Sequence, residues 1–187
     1  SNDPEFAKAL AALGDIFVHD AFSAAHRAHA STEGIAHYLP GCAGFMMAAE
    51  LDALNTALES PERPVAAIVG GAKVSSKLSV LQNLVHKVDY LILGGGMANT
   101  FLAAQGENMG NSKIEGDMLD EARDIMTKAD AKGCEIVLPL DHRIAHTLDS
   151  EAPVQIVERG AIPGDMQALD LGDASIAHIK QRLSKCA

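Results

Sequence analysis

The sequence predicts an α/β protein built on a doubly wound parallel sheet, and three observations predict it. Short, largely apolar runs at 65–69, 90–93 and 135–138 have the length of strands, and the first two have the unbroken apolarity of strands covered on both faces. Longer stretches with helical apolar spacing lie between them. Gly70-Gly71 and Gly94-Gly95-Gly96 close the first two runs. Strand, helix, strand, helix, strand at this spacing specifies a Rossmann-like sheet. Right-handed crossovers then bring the strand ends, and both glycine clusters, to one edge.

In chain order, residues 5–13 carry a helical pattern ended by Gly14, and Ile16-Phe17-Val18 reads as a short buried strand. Residues 21–31 are small and polar, without either period, and read as a loop or broken helix holding His26, Arg27 and His29. A long helical pattern runs from 43 to 58 through Met46, Met47, Leu51, Leu54 and Leu58. Ser60-Pro61-Glu62-Arg63-Pro64 closes it and marks a boundary. Helices are expected over 74–86, from near Met97, and over 117–132, the last stopped by Gly133. After the strand at 135–138 come strands at 154–157 and 167–171 and a helix over 174–185, with Ile176, Ile179 and Leu183 on one side.

Bulk properties exclude several classes. A formal charge of -10 over 187 residues argues against a nucleic-acid surface, which needs clustered Lys and Arg. Three widely spaced cysteines, Cys42, Cys134 and Cys186, form no CxxC and indicate neither a disulfide framework nor a zinc site. No apolar run is long enough to span a bilayer, and the start Ser1-Asn2-Asp3-Pro4 is not a signal peptide. A reducing, cytoplasmic setting without membrane or nucleic-acid partners is the expectation.

Gly70-Gly71-Ala72-Lys73-Val74-Ser75-Ser76-Lys77 combines what a polyphosphate needs. Glycines let an anion approach the backbone, and a helix start offers unpaired N–H donors. Lys73 and Lys77, four apart, would project from one helical face toward one ligand. That arrangement suits phosphoryl transfer, where positioning and electrostatics do most of the catalysis. The bland alternative is a tight turn with two solvated lysines. Ala72 stands where a Walker A loop needs glycine, and Asn99 stands at the third glycine of GxGxxG, which disfavours a P-loop ATPase and a nicotinamide dehydrogenase. The triplet at 94–96 serves either ligand contact or close helix packing. His26-Arg27-Ala28-His29 offers a guanidinium between imidazoles, suited to a small anion or equally to a surface loop. No metal ligand set is legible; Asp117 and Asp120 read as a solvated helix face.

Taken together, Asp20-Ala21-Phe22 with Ala25-His26-Arg27-Ala28-His29, then 70–77, then Gly94-Gly95-Gly96-Met97-Ala98, closely resemble the phosphoglycerate kinase family in order and spacing. Leu138-Pro139-Leu140-Asp141 and Leu169-Asp170-Leu171-Gly172 extend the likeness over the chain. The resemblance implies a two-domain glycolytic kinase that moves a phosphoryl group reversibly between ATP and 3-phosphoglycerate, acting as a monomer. It implies three parts: residues 1–42 as the C-terminal end of the phosphoglycerate-binding domain, 43–60 as an interdomain helix, and 61–187 as a nucleotide-binding domain incomplete at its C-terminus. It assigns Lys77 and Lys73 to catalysis at the triphosphate, and Arg27 with His26 to the phosphoglycerate. Gly71, Ala72, Gly95 and Gly96 fall around the nucleotide, and Ala168 with Leu169 at the adenine. ATP or ADP comes with Mg²⁺, whose protein ligand is expected outside this chain. Family segments that complete both sites are not among these residues, so the chain alone is expected to be inactive. A non-catalytic nucleotide-binding fragment is the alternative. His19, Lys113, His142-Arg143 and Asp173 depart from the family pattern, through a change of nucleotide fit or through surface drift.

Overall fold

Three α-helices of this chain start on a carboxylate, and two of those carboxylates lie far from the helix in sequence. The computed structural model describes residues 1–59, 61–149 and 153–186. Ser60, which ends the expected interdomain helix, and Ala187, which ends the expected nucleotide domain, lie outside the described residues. Two compact units form, Ser1–Pro61 and Glu62–Ala187.

In the first unit, α1 (Pro4–Ala11) starts with Asp3 accepting from the backbone N of Phe6 at 2.8 Å, with Pro4 in the first turn, where its missing N–H costs nothing. The strand β1 (Phe17–His19) pairs in parallel with β2 (Gly41–Ala43), a strand the sequence pattern did not reveal. Three residues centred on a glycine and a cysteine carry too little periodicity to be read. The stretch expected as a loop holds a 3₁₀ turn at Phe22–Ala24, and a second follows at Gly34–His37. The long helix α2 (Phe45–Glu59) begins where Asp20 accepts from the backbone N of Met47 at 2.8 Å. A Cβ on Gly44 would fall inside that carboxylate, so glycine leaves the cap room. The expectation of a buried first strand is corrected: Ile16 is 63% and Val18 55% exposed, and among the described residues β1 pairs with β2 alone.

The second unit holds the core. Its parallel sheet has the order β3 (Ala66–Gly70), β4 (Tyr90–Gly94), β5 (Glu135–Val137). Central β4 buries Leu91, Ile92 and Leu93, whereas β3 lies at the edge and leaves Ile68 65% exposed. Apolarity alone could not distinguish these two strands. The connections are α3 (Leu78–Leu84), then α4 (Gly95–Ala104) and α5 (Leu119–Lys132). In α4 Met97, Ala98, Phe101 and Leu102 are all buried, each large side chain contributing about 2–3 kcal/mol of transfer free energy. Gly133, at φ 73°, ends α5 in a left-handed cap, at the stop the sequence indicated.

A second, antiparallel sheet follows, in the order β7 (Gln155–Glu158), β6 (Asp141–Ala145), β8 (Gln167–Leu171). Its central strand β6 was not legible, since Asp-His-Arg-Ile-Ala has neither period and charged residues at its start. The last helix α6 (Asp173–Leu183) is capped from β6. Asp141 accepts from the backbone N of Ala174 at 3.0 Å and of Ser175 at 2.8 Å, and from the Ser175 hydroxyl at 2.5 Å. As at Gly44, a Cβ on Gly172 would fall inside the carboxylate.

Candidate functional site

The two glycine clusters meet. Parallel register puts Gly70 opposite Gly94, so both strands deliver their following residues to one edge. The backbone N of Met97 donates to the Gly71 carbonyl at 2.9 Å. Cβ atoms on Gly95 and Gly96 would stand 3.0 Å from the carbonyl oxygens of Gly71 and Ala72 respectively. Gly95 also takes φ 64°, a left-handed conformation that other residues adopt at a cost of about 1–2 kcal/mol. Close packing of backbone on backbone, one of the two roles open for the triplet, is therefore its structural role, and it places the start of α4 against the 71–72 loop.

The lysine loop differs from its expected form. A helix from residue 74 would have put Lys73 and Lys77 on one face. Instead a 3₁₀ turn occupies Ser75–Lys77 and α3 starts at Leu78, so Lys73 sits in the loop before the turn and Lys77 at its end. Val74, completely buried, anchors the loop between them, and the backbone N of Lys77 donates to the Val74 carbonyl at 2.9 Å. The N–H donors expected for phosphate are also fewer. Glu115 accepts from the Ser75 backbone N at 3.0 Å and from its hydroxyl at 2.7 Å. Those hydrogen bonds, the Ser75 hydroxyl first, hold the Glu115 carboxyl below its ordinary pKa, with Lys73 adding a smaller attraction. The same residue joins the loop to α4: its backbone N donates to the Thr100 hydroxyl at 3.0 Å, and that hydroxyl donates to the Gly96 carbonyl at 3.1 Å. Lys73 and Lys77 are both exposed, and among the described residues neither is held in an ion pair.

Beside this junction lies a recess of about 80 Å³. Gly95 and Asn99 of α4 form one side, Ala168, Leu169, Asp170 and Leu171 of β8 another, and Pro139 with His142 the rest. Three residues chosen from the sequence, Gly95, Ala168 and Leu169, thus share one cavity; Gly71, Ala72 and Gly96 stand at the adjoining backbone contact. Leu169 is placed by a bulge: Arg143 pairs with Asp170 and Ile144 with Ala168, leaving Leu169 as the extra residue. Ser112 accepts from the Ala168 backbone N at 2.8 Å, and Asn99 donates through Nδ2 to the Lys113 carbonyl at 3.4 Å, so the 111–115 segment braces the same rim. At about 80 Å³ the recess is smaller than the roughly 300 Å³ of a whole small-molecule site, and it suits one planar group of a larger ligand.

Sequence reasoning missed Glu115, Ser112 and Pro139 as parts of the site, because their roles depend on long-range pairing. Asn99 and His142 had been singled out as departures from a pattern, which was the available signal. His142 is buried at 2% exposure, not surface drift, and burial lowers its pKa, so its imidazole is neutral. Two other departures, Arg143 and Asp173, pair with each other at 2.7 Å.

His26 and Arg27 belong to the first unit, in an exposed loop. Arg27 donates through Nε to Nε2 of His26 at 3.3 Å, and the Thr32 hydroxyl donates to the Arg27 carbonyl at 2.6 Å, which shapes the loop. Among the described residues no three His, Cys, Asp or Glu side chains converge on a metal position. The residues present do not fit a Mg²⁺ site, and no step is assigned to one. No helix is long and apolar enough to cross a membrane among the described residues.

Fold and recess together define an α/β protein of Rossmann-like architecture with a small recess beside the start of α4, lined by Gly95 and by Ala168 to Leu171 of β8. The sequence matches the family described as phosphoglycerate kinase over residues 1–187. A phosphoglycerate kinase of Rhodospirillum centenum is 59% identical over 182 residues, covering 97% of this chain and 46% of that protein. One from Dinoroseobacter shibae is also 59% identical, over 180 residues. The structure of the Coxiella burnetii phosphoglycerate kinase superposes with a TM-score of 0.89 at 43% identity, over 99% of this chain and 48% of that one. The chain belongs to the phosphoglycerate kinase family, and it spans about half the length of the curated relatives it matches.

Proposed function

We propose that the chain takes part in reversible phosphoryl transfer between ATP and 3-phosphoglycerate, with its second unit receiving the nucleotide. The observation that carries this reading is the meeting of the 70–72 loop and the start of α4 beside the recess walled by Ala168 and Leu169. A base enters that recess, and its phosphates extend along the glycine junction toward Lys73 and Lys77. Lys77 and Lys73 neutralise the charge spread over the transferring group, an interaction stronger in the transition state than in the ground state. Gly71, Ala72, Gly95 and Gly96 supply close backbone approach because they present little or no side chain. Arg27 and His26 take the phosphoglycerate, with the guanidinium suited to two phosphate oxygens at once. Residues 1–42 then belong to the phosphoglycerate domain, 43–60 to the interdomain helix and 61–187 to the nucleotide domain. A cytoplasmic monomer without nucleic-acid partners completes the reading, supported by family membership and by the acidic balance of the chain.

The test is lysine acylation followed by mass spectrometry, with and without ADP and Mg²⁺. Lys73 and Lys77 become protected while Lys180 on α6 does not; equal labelling of all three in both conditions overturns the nucleotide reading. The 187-residue chain alone, representing 46% of its relatives' length, turns over no 3-phosphoglycerate in a coupled assay. Measurable turnover would refute that part.

A further inference from the structure

His142 is the one residue lining the recess that carries a buried, partnerless polar atom: among the described residues its Nε2 has no hydrogen-bond partner. The strand pattern gives the direction of its ring. Asp141 sends its carboxylate to the start of α6, so the next residue of β6 projects from the opposite face of the sheet. In antiparallel pairing, register partners share a face. The partner of His142 is Leu171, which lines the same recess. The walls around the imidazole are mostly apolar side chains and backbone, from Ala168, Leu169, Pro139 and Gly95; of the other polar lining groups, the amide of Asn99 is engaged with the Lys113 carbonyl and the Asp170 carboxylate accepts from the Leu171 backbone N at 2.8 Å. Apolar walls with one directional polar group are what a planar heteroaromatic ring needs for orientation.

We propose that His142 is a specificity-determining residue of the nucleotide site, its Nε2 hydrogen-bonding the edge of the nucleobase seated in the recess. The proposal rests on the nucleotide reading above. A neutral imidazole donates or accepts through Nε2 according to its tautomer, and a base edge offers both kinds of partner. A buried nitrogen without a partner weakens the free protein, and the base removes that penalty on binding. Position 142 is one at which this chain departs from the family pattern, so the polar contact is a feature of this chain.

The experiment measures binding of ADP with Mg²⁺, and of inorganic tripolyphosphate, to the unsubstituted chain, His142→Phe and His142→Gln by calorimetry. His142→Phe weakens ADP about five- to tenfold, the worth of one hydrogen bond, and leaves tripolyphosphate unchanged. His142→Gln recovers part of the loss. Imidazole ¹⁵N shifts of the unsubstituted chain provide a readout that needs no variant to fold: ADP moves the His142 Nε2 resonance and tripolyphosphate does not. ADP bound equally by all three proteins, or a His142 resonance indifferent to ADP, overturns the role of His142 and leaves the nucleotide reading standing. Absence of ADP binding to the unsubstituted chain, with Lys73 and Lys77 unprotected, overturns both.

Discussion

Three adjacent glycines should respond to alanine in three different ways. Gly94, the cap residue of α4, has φ -135° and no atom within 4 Å of an added Cβ, so Gly94→Ala should change stability by less than about 0.5 kcal/mol. Gly96 is confined by the Ala72 carbonyl at 3.0 Å and the Ala72 Cα at 3.4 Å. Both are backbone, and Ala72 is held between Gly71, bonded to Met97, and the loop that buried Val74 anchors. Relief therefore means moving a loop, and Gly96→Ala should cost about 1–3 kcal/mol, as overpacking does. Gly95 adds a left-handed φ of 64° to a 3.0 Å contact with the Gly71 carbonyl, which raises the expected cost to about 2–4 kcal/mol. Urea unfolding followed by circular dichroism reads the series. With a slope of about 2 kcal/mol/M, Gly95→Ala moves the midpoint down by about 1–2 M while Gly94→Ala leaves it in place. If Gly94→Ala were as damaging as Gly95→Ala, or Gly96→Ala were silent, backbone approach between the two loops would not be what the triplet provides.

Removing the trans cap by Asp141→Ala leaves the backbone N–H groups of Ala174 and Ser175 at the start of α6 without their acceptor, while the Ser175 hydroxyl keeps the Asp141 carbonyl, and should cost about 1–3 kcal/mol in the same unfolding assay. Burial opposes ionisation of Asp141, but hydrogen bonds from Ser175 and Ala174 outweigh it and hold its pKa below the ordinary carboxylate value. Its contribution is therefore complete above the unfolded value near 4 and is lost as pH falls through the lower folded value; a pH–stability profile of Asp141→Asn should lack that acid limb. Burial, with Asp89 nearby, raises the Cys134 thiol to about 11, whereas Cys42 is exposed. Iodoacetamide at pH 8 should modify Cys42 quickly and Cys134 at the rate of unfolding; comparable rates at both would refute the burial.

Much of this protein is written in local pattern. The apolar run of 90–93 announced β4, Gly133 announced the end of α5, and 167–171 announced β8 at its observed bounds. The glycine clusters, the lysines at 73 and 77 and the likeness in motif order were enough to name the family. Such features are readable because period, turn residues and chain punctuation act over a few neighbouring positions.

Tertiary structure decided what those pieces do. Only strand pairing showed that β3 is an edge and β4 a centre, and only long-range register made a strand of Asp-His-Arg-Ile-Ala and a bulge of Leu169. The lysine loop left its helical period because Val74 is drawn into the core and Glu115, forty positions away, grips Ser75. His142, open in sequence to a change of nucleotide fit or to surface drift, became a buried group in the recess beside α4 when β6 took its place between β7 and β8. Partners far apart in the chain are chosen by burial and hydrogen-bond satisfaction over the whole unit, and no local window carries that information.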